Sequence, residues 1–174
     1  MKFVNRKSEL AELRELETLS KKKLFVIALY GLRRVGKTRL LLEFLKDKGL
    51  YFFVNKNKTS TDLLTEFQEI LKQGKILKEL EVLDSWDKFF EILITRETPP
   101  IVFDEFQNFT SVESAVFGIL QKTIDLNENK PGLMILSGSL IGFIKKLFKN
   151  SKEPLYGRIK KRQETRTFDF GFMP

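Results

Sequence analysis

Apolar residues fall into two patterns that alternate along the chain. Short runs of apolar and aromatic residues predict strands that are buried on both faces. Longer segments in which apolar side chains recur every three or four residues predict amphipathic helices. The predicted strands lie at residues 24–30, 50–54, 101–103 and 133–136, with a last one near 162–168. This alternation predicts an α/β fold in which helices cover both faces of a parallel sheet.

The predicted helices are bounded by residues that are typical of helix ends. Serine or threonine before an apolar repeat favours an N-cap, and glycine after it favours an end. We expect N-caps at Ser8, at Ser60 or Thr61, at Ser85 and at Ser111, and helix ends at Gly49 and Gly74. A further helix, predicted at residues 139–148, carries lysines on its polar face.

A loop bounded by two glycines follows the first predicted strand and opens into a predicted helix. Its residues, in the pattern G-x-x-x-x-G-K-T, are Gly31, Leu32, Arg33, Arg34, Val35, Gly36, Lys37 and Thr38. The glycines permit a backbone in which successive N–H groups converge on phosphate oxygens. We expect Lys37 to contact the β- and γ-phosphates of a nucleotide and the Thr38 hydroxyl to bind Mg²⁺. The alternative is an ordinary lysine-rich turn before a helix.

Two adjacent carboxylates end the strand predicted at residues 101–103. In nucleoside-triphosphatases such a pair divides the work. Asp104 is expected to bind Mg²⁺ near Thr38, through a water in the coordination shell of the ion. Glu105 is expected to orient and deprotonate the attacking water. The alternative is that Asp104 and Glu105 merely begin a polar loop.

Two serines follow the apolar run at 133–136. A hydroxyl at the tip of this strand can hydrogen-bond the γ-phosphate or the lytic water, so we assign Ser137 as a catalytic sensor. Ser139 is assigned as the N-cap of the following helix, and the alternative is that either serine is simply such a cap.

The C-terminal fifth of the chain is strongly basic. Residues 139–174 contain nine basic and three acidic residues, whereas the whole chain has a net charge of +8. Arg158 follows Pro154-Leu155-Tyr156-Gly157 and is a candidate arginine finger that stabilises transition-state charge. Residues 145–166 are a candidate nucleic-acid surface. The alternatives are a solvated face or a surface that docks an acidic partner.

Composition restricts the chemistry that the chain can perform. The 174 residues contain neither cysteine nor histidine, which excludes thiolate chemistry and removes the commonest general base. Carboxylates, hydroxyls, Lys, Arg and backbone amides remain, together with a hard cation such as Mg²⁺. No apolar run approaches the length of a membrane span and the N-terminus has no signal-type apolar core. We therefore expect one cytoplasmic domain without membrane contact.

Taken together, the motifs resemble those of the archaeal ATPases, a family of P-loop proteins in the AAA+/STAND branch. The matching segments are Phe3-Val4-Asn5-Arg6 before Glu9-Leu10, Tyr30 to Thr38, Phe103-Asp104-Glu105-Phe106-Gln107, Leu136-Ser137-Gly138-Ser139 and Pro154-Leu155-Tyr156-Gly157-Arg158. They occur in the family's order along nearly the whole chain.

The resemblance implies a P-loop NTPase three-layer α/β/α sandwich with a five-stranded parallel sheet in the order 5-1-4-3-2. It implies ATP and ADP as nucleotides, Mg²⁺ as the cation and a catalytic role for Arg158. An adenine pocket is implied near Val4, Asn5 and Arg6, and we include Arg39 among the nucleotide-binding candidates. Family members usually continue into a helical lid, a winged-helix region and a C-terminal domain. We therefore expect residues 1–174 to form the ATPase core alone, without the lid arginine that senses nucleotide.

Three functions follow from these features. The leading hypothesis is a nucleotide switch that binds Mg·ATP and hydrolyses it slowly. A small P-loop kinase is the first alternative, although adjacent Asp104 and Glu105 favour water as the acceptor. A non-catalytic module that binds nucleic acid or protein is the second alternative. An arginine finger that acts on a neighbouring copy would require a homo-oligomer, and a missing C-terminal domain would act as a partner.

Overall fold

The sheet is built from the apolar runs of the sequence. The computed structural model describes residues 6–46, 48–139, 155 and 161–165. In these residues five strands form one sheet: β1 (Leu24–Gly31), β2 (Leu50–Phe53), β3 (Ile101–Asp104), β4 (Gly132–Gly138) and β5 (Lys161–Thr165). All of the pairings are parallel and the order is β2-β3-β4-β1-β5. Counted from the other edge, this is the order 5-1-4-3-2 that the family resemblance implies.

Helices connect the strands and cover both faces of the sheet. In the same part of the chain they are α1 (Lys7–Leu19), α2 (Lys37–Leu45), α3 (Ser60–Gln73), α4 (Trp86–Thr95), the short α5 (Phe109–Val112) and α6 (Val116–Asn127). A 3₁₀ turn, Phe106–Asn108, precedes α5. None of the described helices is both long and apolar enough to cross a membrane.

The two faces of the sheet bury different kinds of side chain. On one face, α1 and α2 pack a mainly aliphatic cluster against alternate residues of β1, including Ile27 and Leu29. On the other face, α3, α4 and α6 pack an aromatic-rich cluster against Val26 and Ala28. This alternation along one strand explains why β1 is apolar at every position. The three-layer α/β/α arrangement predicted from the sequence is confirmed.

Aromatic rings fill the larger cluster. Phe52 of β2 lies between Phe67 and Phe103, with ring centroids 4.8 Å and 5.1 Å apart. Trp86 packs edge-on against Phe67 and Phe109, and its indole nitrogen donates to the Ser60 hydroxyl at 2.9 Å. Such rings bury large apolar areas and hold β2 and β3 firmly against the helices.

Three of the predicted helix starts are wrong. Arg6, not Ser8, is the N-cap of α1, and the Ser8 hydroxyl donates to the Glu9 carboxylate. Thr59, not Ser60 or Thr61, caps α3 by accepting a hydrogen bond from the Asp62 amide. Competing polar partners thus draw serines away from helix ends.

The long helix predicted from Ser111 is in fact two helices. Ser111 lies within α5, where its hydroxyl donates to the Asn108 carbonyl at 3.0 Å. The chain leaves the helix at Glu113, and α6 begins at Val116. Val112, Val116, Leu120 and Ile124 follow one another at four-residue intervals across the break, so the apolar pattern does not reveal it.

The remaining ends divide in the same way. Ser85 caps α4 and Gly74 ends α3, as predicted. Gly49 does not end α2, because the helix stops at Leu45 and Lys46 adopts a left-handed conformation. A helix is also predicted at residues 139–148. All of these residues except Ser139 lie outside the described part of the chain.

Parallel pairing brings the ends of four strands to one edge of the sheet. Tyr30 of β1 pairs with Gly138 of β4, and Phe53 of β2 pairs with Asp104 of β3. The loop after Gly31 therefore opens at the same edge as the acidic pair after β3. Ligands bind at this edge in open α/β sheets.

Candidate nucleotide site

The glycine-bounded loop forms an open backbone bend at the N-terminus of α2. Arg34 and Gly36 both have left-handed backbone conformations, with φ of 64° and 82°. Gly36 is the N-cap of α2, and within the described residues no side-chain capping hydrogen bond is made at this helix start. Uncapped N–H groups at a helix start, together with the helix dipole, favour an anion. The bend therefore fits a phosphate group.

Lys37 is buried at the mouth of this bend. Its ammonium donates to the Gly31 carbonyl at 3.0 Å and to the Leu32 carbonyl at 2.7 Å. Burial lowers the pKa of Lys37, and the nearby charges of Glu105 and Asp104 oppose that shift. Both hydrogen bonds are to neutral carbonyls, so phosphate oxygens can take their place with a gain in charge compensation.

Thr38 and Asp104, the two predicted cation ligands, touch each other. The Thr38 hydroxyl donates to Oδ2 of Asp104 at 2.6 Å although the residues are 66 positions apart. The other carboxylate oxygen accepts a hydrogen bond from the Glu105 amide at 3.0 Å. A hydroxyl and a carboxylate side by side supply the oxygen ligands that Mg²⁺ prefers, so the pair fits that cation.

Tyr51 completes the surroundings of Asp104. Its phenol donates to the same Oδ2 at 2.9 Å. Burial, followed by the charge of Asp104, raises the pKa of Tyr51, so the phenol remains a donor at neutral pH. Asp104 is only 1% exposed, and three hydrogen bonds thus compensate its buried charge.

Glu105 lies on a strained stretch of backbone directly after β3. Its φ of 53° is left-handed, which is uncommon for a residue with a Cβ. One carboxylate oxygen, Oε2, accepts hydrogen bonds from the side-chain amide of Gln107 and from the Ser139 hydroxyl, the latter at 2.9 Å. Gln107 and Ser139 are both buried, so they restrain the Glu105 carboxylate on its protein-facing side.

The two serines after β4 have different surroundings. Ser139, assigned from the sequence as a helix cap, contacts Glu105. Ser137, assigned as the sensor, is fully buried, and no residue in the described part of the chain hydrogen-bonds its hydroxyl. A buried hydroxyl without a partner is uncommon and has capacity to bind a ligand or a water.

A recess of about 800 Å³ opens beside the loop, on the side of β2. Its lining is mainly cationic and amide-bearing, with Glu105 as its acidic member and with Leu42 and Phe53 as an apolar patch. The lining residues are Arg33, Arg34, Gly36, Lys37, Thr38, Arg39, Leu42, Phe53, Asn55, Lys56, Asn57, Glu105 and Asn108. The recess therefore suits an anionic group next to the acidic pair.

The other predicted site residues divide between those near the loop and those outside the described residues. Arg6 is buried and donates to the Val35 carbonyl, so it lies against the bend. Leu32 is exposed at the surface of the bend. Val4, Asn5 and Arg158 lie outside the described part of the chain, as does most of the basic segment 145–166.

Two polar contacts of the site were missed by reasoning from the sequence. Tyr51 lies in an aromatic strand and looks like another core residue, and its phenol is the only polar signal there. Gln107 ends the Phe103-Asp104-Glu105-Phe106-Gln107 segment, yet its spacing from Glu105 does not predict that a 3₁₀ turn brings its side chain to that carboxylate.

Comparison with known proteins places this geometry in a wider context. A family model described as an AAA domain matches residues 23–171. A protein of Methanocaldococcus jannaschii, itself named as uncharacterized, is 28% identical over 158 residues, which are 90% of this chain and 34% of that protein.

Solved structures also match. One chain in the structure of Drosophila ORC bound to DNA has a TM-score of 0.67 and 19% identity, over 96% of this chain and 44% of that one. The structure of C. elegans PCH-2 has a TM-score of 0.45 and 16% identity, over 90% of this chain and 41% of that one. The chain thus spans about a third of the archaeal relative and less than half of either matched structure. The Drosophila likeness shows a shared fold.

Proposed function

Since this chain belongs to the AAA domain family, we propose that it binds ATP together with Mg²⁺ and hydrolyses it slowly, as a nucleotide switch. The family supports a nucleotide-binding, ATPase-like role. Dependence on Mg²⁺, slow turnover and the individual residue roles are our proposals.

The contact between Thr38 and Asp104 is the observation that carries this proposal. The two side chains come from the first turn of α2 and from the end of β3, and they meet at 2.6 Å. A generic lysine-rich turn would not need a buried carboxylate next to its threonine. Thr38 and Asp104 would hold Mg²⁺, which neutralises charge on the phosphates when it is bound.

The residues of the chain then have separate tasks. Amides of the bend bind phosphate oxygens, and the Lys37 ammonium leaves the carbonyls of Gly31 and Leu32 for the β- and γ-phosphates. Glu105 accepts a proton from water as the water oxygen bonds to the γ-phosphorus. The bond from that phosphorus to the oxygen bridging the β-phosphate breaks, and ADP and phosphate leave.

Gln107 and Ser139 orient the base in this scheme. Both donate to Oε2 of Glu105, which leaves the other carboxylate oxygen to take the proton of the water. The buried Ser137 hydroxyl is the proposed sensor of the γ-phosphate or the water. Arg158 remains a proposed finger, and oligomerisation would bring it to a neighbouring site.

Calorimetry of ATP binding with and without Mg²⁺ tests the proposal. We expect magnesium-dependent affinity in the parent protein and its loss in Lys37→Ala, because the ammonium supplies charge that backbone amides cannot replace. Lys122→Ala is the matched control, since Lys122 is exposed and pairs with Asp87. No magnesium-dependent affinity in the parent, or parent-like affinity in Lys37→Ala, would refute the proposal.

The recess beside Glu105 favours one second candidate, a small P-loop kinase. Phosphate acceptors need a pocket next to the γ-phosphate, and Arg33, Arg34 and Lys56 would suit an anionic acceptor there. A panel of phosphorylated metabolites, assayed for acceptor-dependent ADP release, separates the two functions. Release that is independent of every acceptor supports hydrolysis.

A further inference from the structure

Tyr51 makes a polar contact that the packing of β2 does not require. Its neighbours Leu50, Phe52 and Phe53 are all apolar, and its ring packs against the aliphatic cluster under α2. Phenylalanine would fill the same space. The hydroxyl must therefore be explained by its partner, Oδ2 of Asp104, at 2.9 Å.

Strand register explains how this contact arises. Asp104 pairs with Phe53, and Val102 pairs with Tyr51, in the parallel ladder of β2 and β3. Alternate residues of a strand share a face, so Tyr51 and Asp104 lie on the same side of the sheet, two residues apart in register. Thr38 approaches the same oxygen from α2, at 2.6 Å. Two hydroxyls from separate elements thus donate to one carboxylate oxygen.

The two hydroxyls have different roles when a cation binds. A hydroxyl has two lone pairs besides its proton, so Thr38 can ligate the cation and still donate to Asp104, whereas Tyr51 only holds the carboxylate. Asp104 is buried, and the Tyr51 phenol supplies one of the three hydrogen bonds that compensate its charge. The phenol also lies within hydrogen-bonding reach of Thr38, so it stands beside both proposed cation ligands.

We infer that Tyr51 is a positioning residue of the cation site, which holds the Asp104 carboxylate in place beside Thr38 when the cation binds. This inference rests on the proposed binding of Mg²⁺ and nucleotide. It gives β2, an edge strand outside every motif of the sequence, a part in recognition of the cation. Tyr51 itself contacts neither phosphate nor reacting water.

The test separates binding of the cation from binding of the nucleotide. Affinity for a non-hydrolysable ATP analogue is measured by calorimetry over a magnesium series and in EDTA, for the parent and for Tyr51→Phe. We expect Tyr51→Phe to need about tenfold more Mg²⁺ for half-maximal affinity, the size of a lost hydrogen bond to a charged group. Affinity in EDTA should match that of the parent.

A matched control removes a buried hydroxyl elsewhere. Thr123→Val deletes a hydroxyl that donates to the Ile119 carbonyl at 2.8 Å within α6. This variant should keep the magnesium dependence of the parent. Paramagnetic resonance of free Mn²⁺ in the presence of the analogue gives a second readout that needs no turnover, and Tyr51→Phe should leave more of the ion free.

Failure of the inference and failure of the proposed function look different. Magnesium dependence in Tyr51→Phe equal to that of a parent that binds Mg·nucleotide would overturn the inference alone. An equal loss of affinity with and without Mg²⁺ would also overturn it, since that result indicates general damage to the site. A parent without magnesium-dependent affinity would overturn both.

Discussion

The glycine-bounded bend and the acidic end of β3 lie at the same edge of the sheet but are assembled in different ways. The bend consists of consecutive residues 31–38, and its shape depends on local backbone conformations at Arg34 and Gly36. The acidic end is held by Thr38, Tyr51 and Ser139 from distant positions in the chain, and by Gln107 from the adjoining turn.

This difference teaches where each half of the site is vulnerable. A bend built from backbone groups tolerates many side chains but depends on the residues with left-handed conformations. The two carboxylates are held by side chains from four separate segments of the chain. Removing one of these side chains should therefore cost an amount set by the hydrogen bonds that it makes. We therefore expect changes in the bend to weaken nucleotide binding and changes around Glu105 to slow hydrolysis with binding largely retained. Changes around Asp104 should weaken the magnesium-dependent part of binding.

The largest expected effect is that of Glu105→Gln. The amide retains the shape of the side chain but cannot accept the proton of water, so hydrolysis should fall by about 10²- to 10⁴-fold. Measured by phosphate release and by calorimetry, the variant should lose turnover and keep Mg·ATP affinity. Glu43→Gln, on the exposed side of α2, is the control. Hydrolysis at the parent rate would show that Glu105 is not the base.

The next largest effect is that of Gly36→Ala, which tests the left-handed backbone conformation of the bend. Among the described residues, the added Cβ of Gly36→Ala meets only Arg6, with Nη2 at 4.0 Å, but φ is +82°. The strain of about 1–2 kcal/mol should weaken nucleotide affinity by roughly tenfold, without a separate loss in the rate at saturation. Gly118→Ala is the matched control, because nothing lies within 4 Å of its Cβ and it is inside α6. Equal effects of both changes would remove the special role of the bend.

A smaller effect is expected from Ser139→Ala. Gln107 still donates to Glu105, so the carboxylate keeps one of its two side-chain restraints. Turnover should fall by a few-fold, corresponding to about 1 kcal/mol. The double variant Glu105→Gln/Ser139→Ala should bind Mg·ATP with the same affinity as Glu105→Gln alone. Ser111→Ala, which loses a hydroxyl contact with Asn108, is the control in the same turnover assay. Loss of binding in Ser139→Ala would contradict the proposed division between the two regions.

The subtlest effect is on the pH dependence of binding. Burial lowers the pKa of Lys37, and only the protonated ammonium attracts phosphate. Nucleotide affinity should therefore begin to decline, as pH rises, below the ordinary lysine value, and Lys37→Arg should move that decline to higher pH. Calorimetry at fixed ionic strength, over a pH series, measures this decline in the parent and in Lys37→Arg. A decline in the parent that Lys37→Arg does not shift would mean that another group titrates.

The fold was largely predictable because apolar runs and helical spacing dominate the chain. All four apolar strands were predicted, as was a last strand that overlaps β5, and the AAA+ resemblance is confirmed by the AAA domain match. Helix starts were less predictable. Ser60, for example, accepts from Trp86 and donates to Glu113, both far away in the chain, and so does not cap α3.

The chemistry of the site was predictable only in part. The G-x-x-x-x-G-K-T loop and the adjacent acids carry their spacing in the sequence, and their roles remain proposals. The contacts of Ser139 and Gln107 with Glu105 depend on how β4 and a 3₁₀ turn meet.

By itself, the sequence determined the alternation of strands and helices and the glycine-bounded bend, because both arise from interactions between residues close together in the chain. Only the tertiary structure decided which side chains hold the two carboxylates. Parallel pairing places Tyr51 and Asp104 on one face of the sheet although they are 53 positions apart. Spacing along the chain does not encode that register, which is set by burial of both faces of the sheet under its helices.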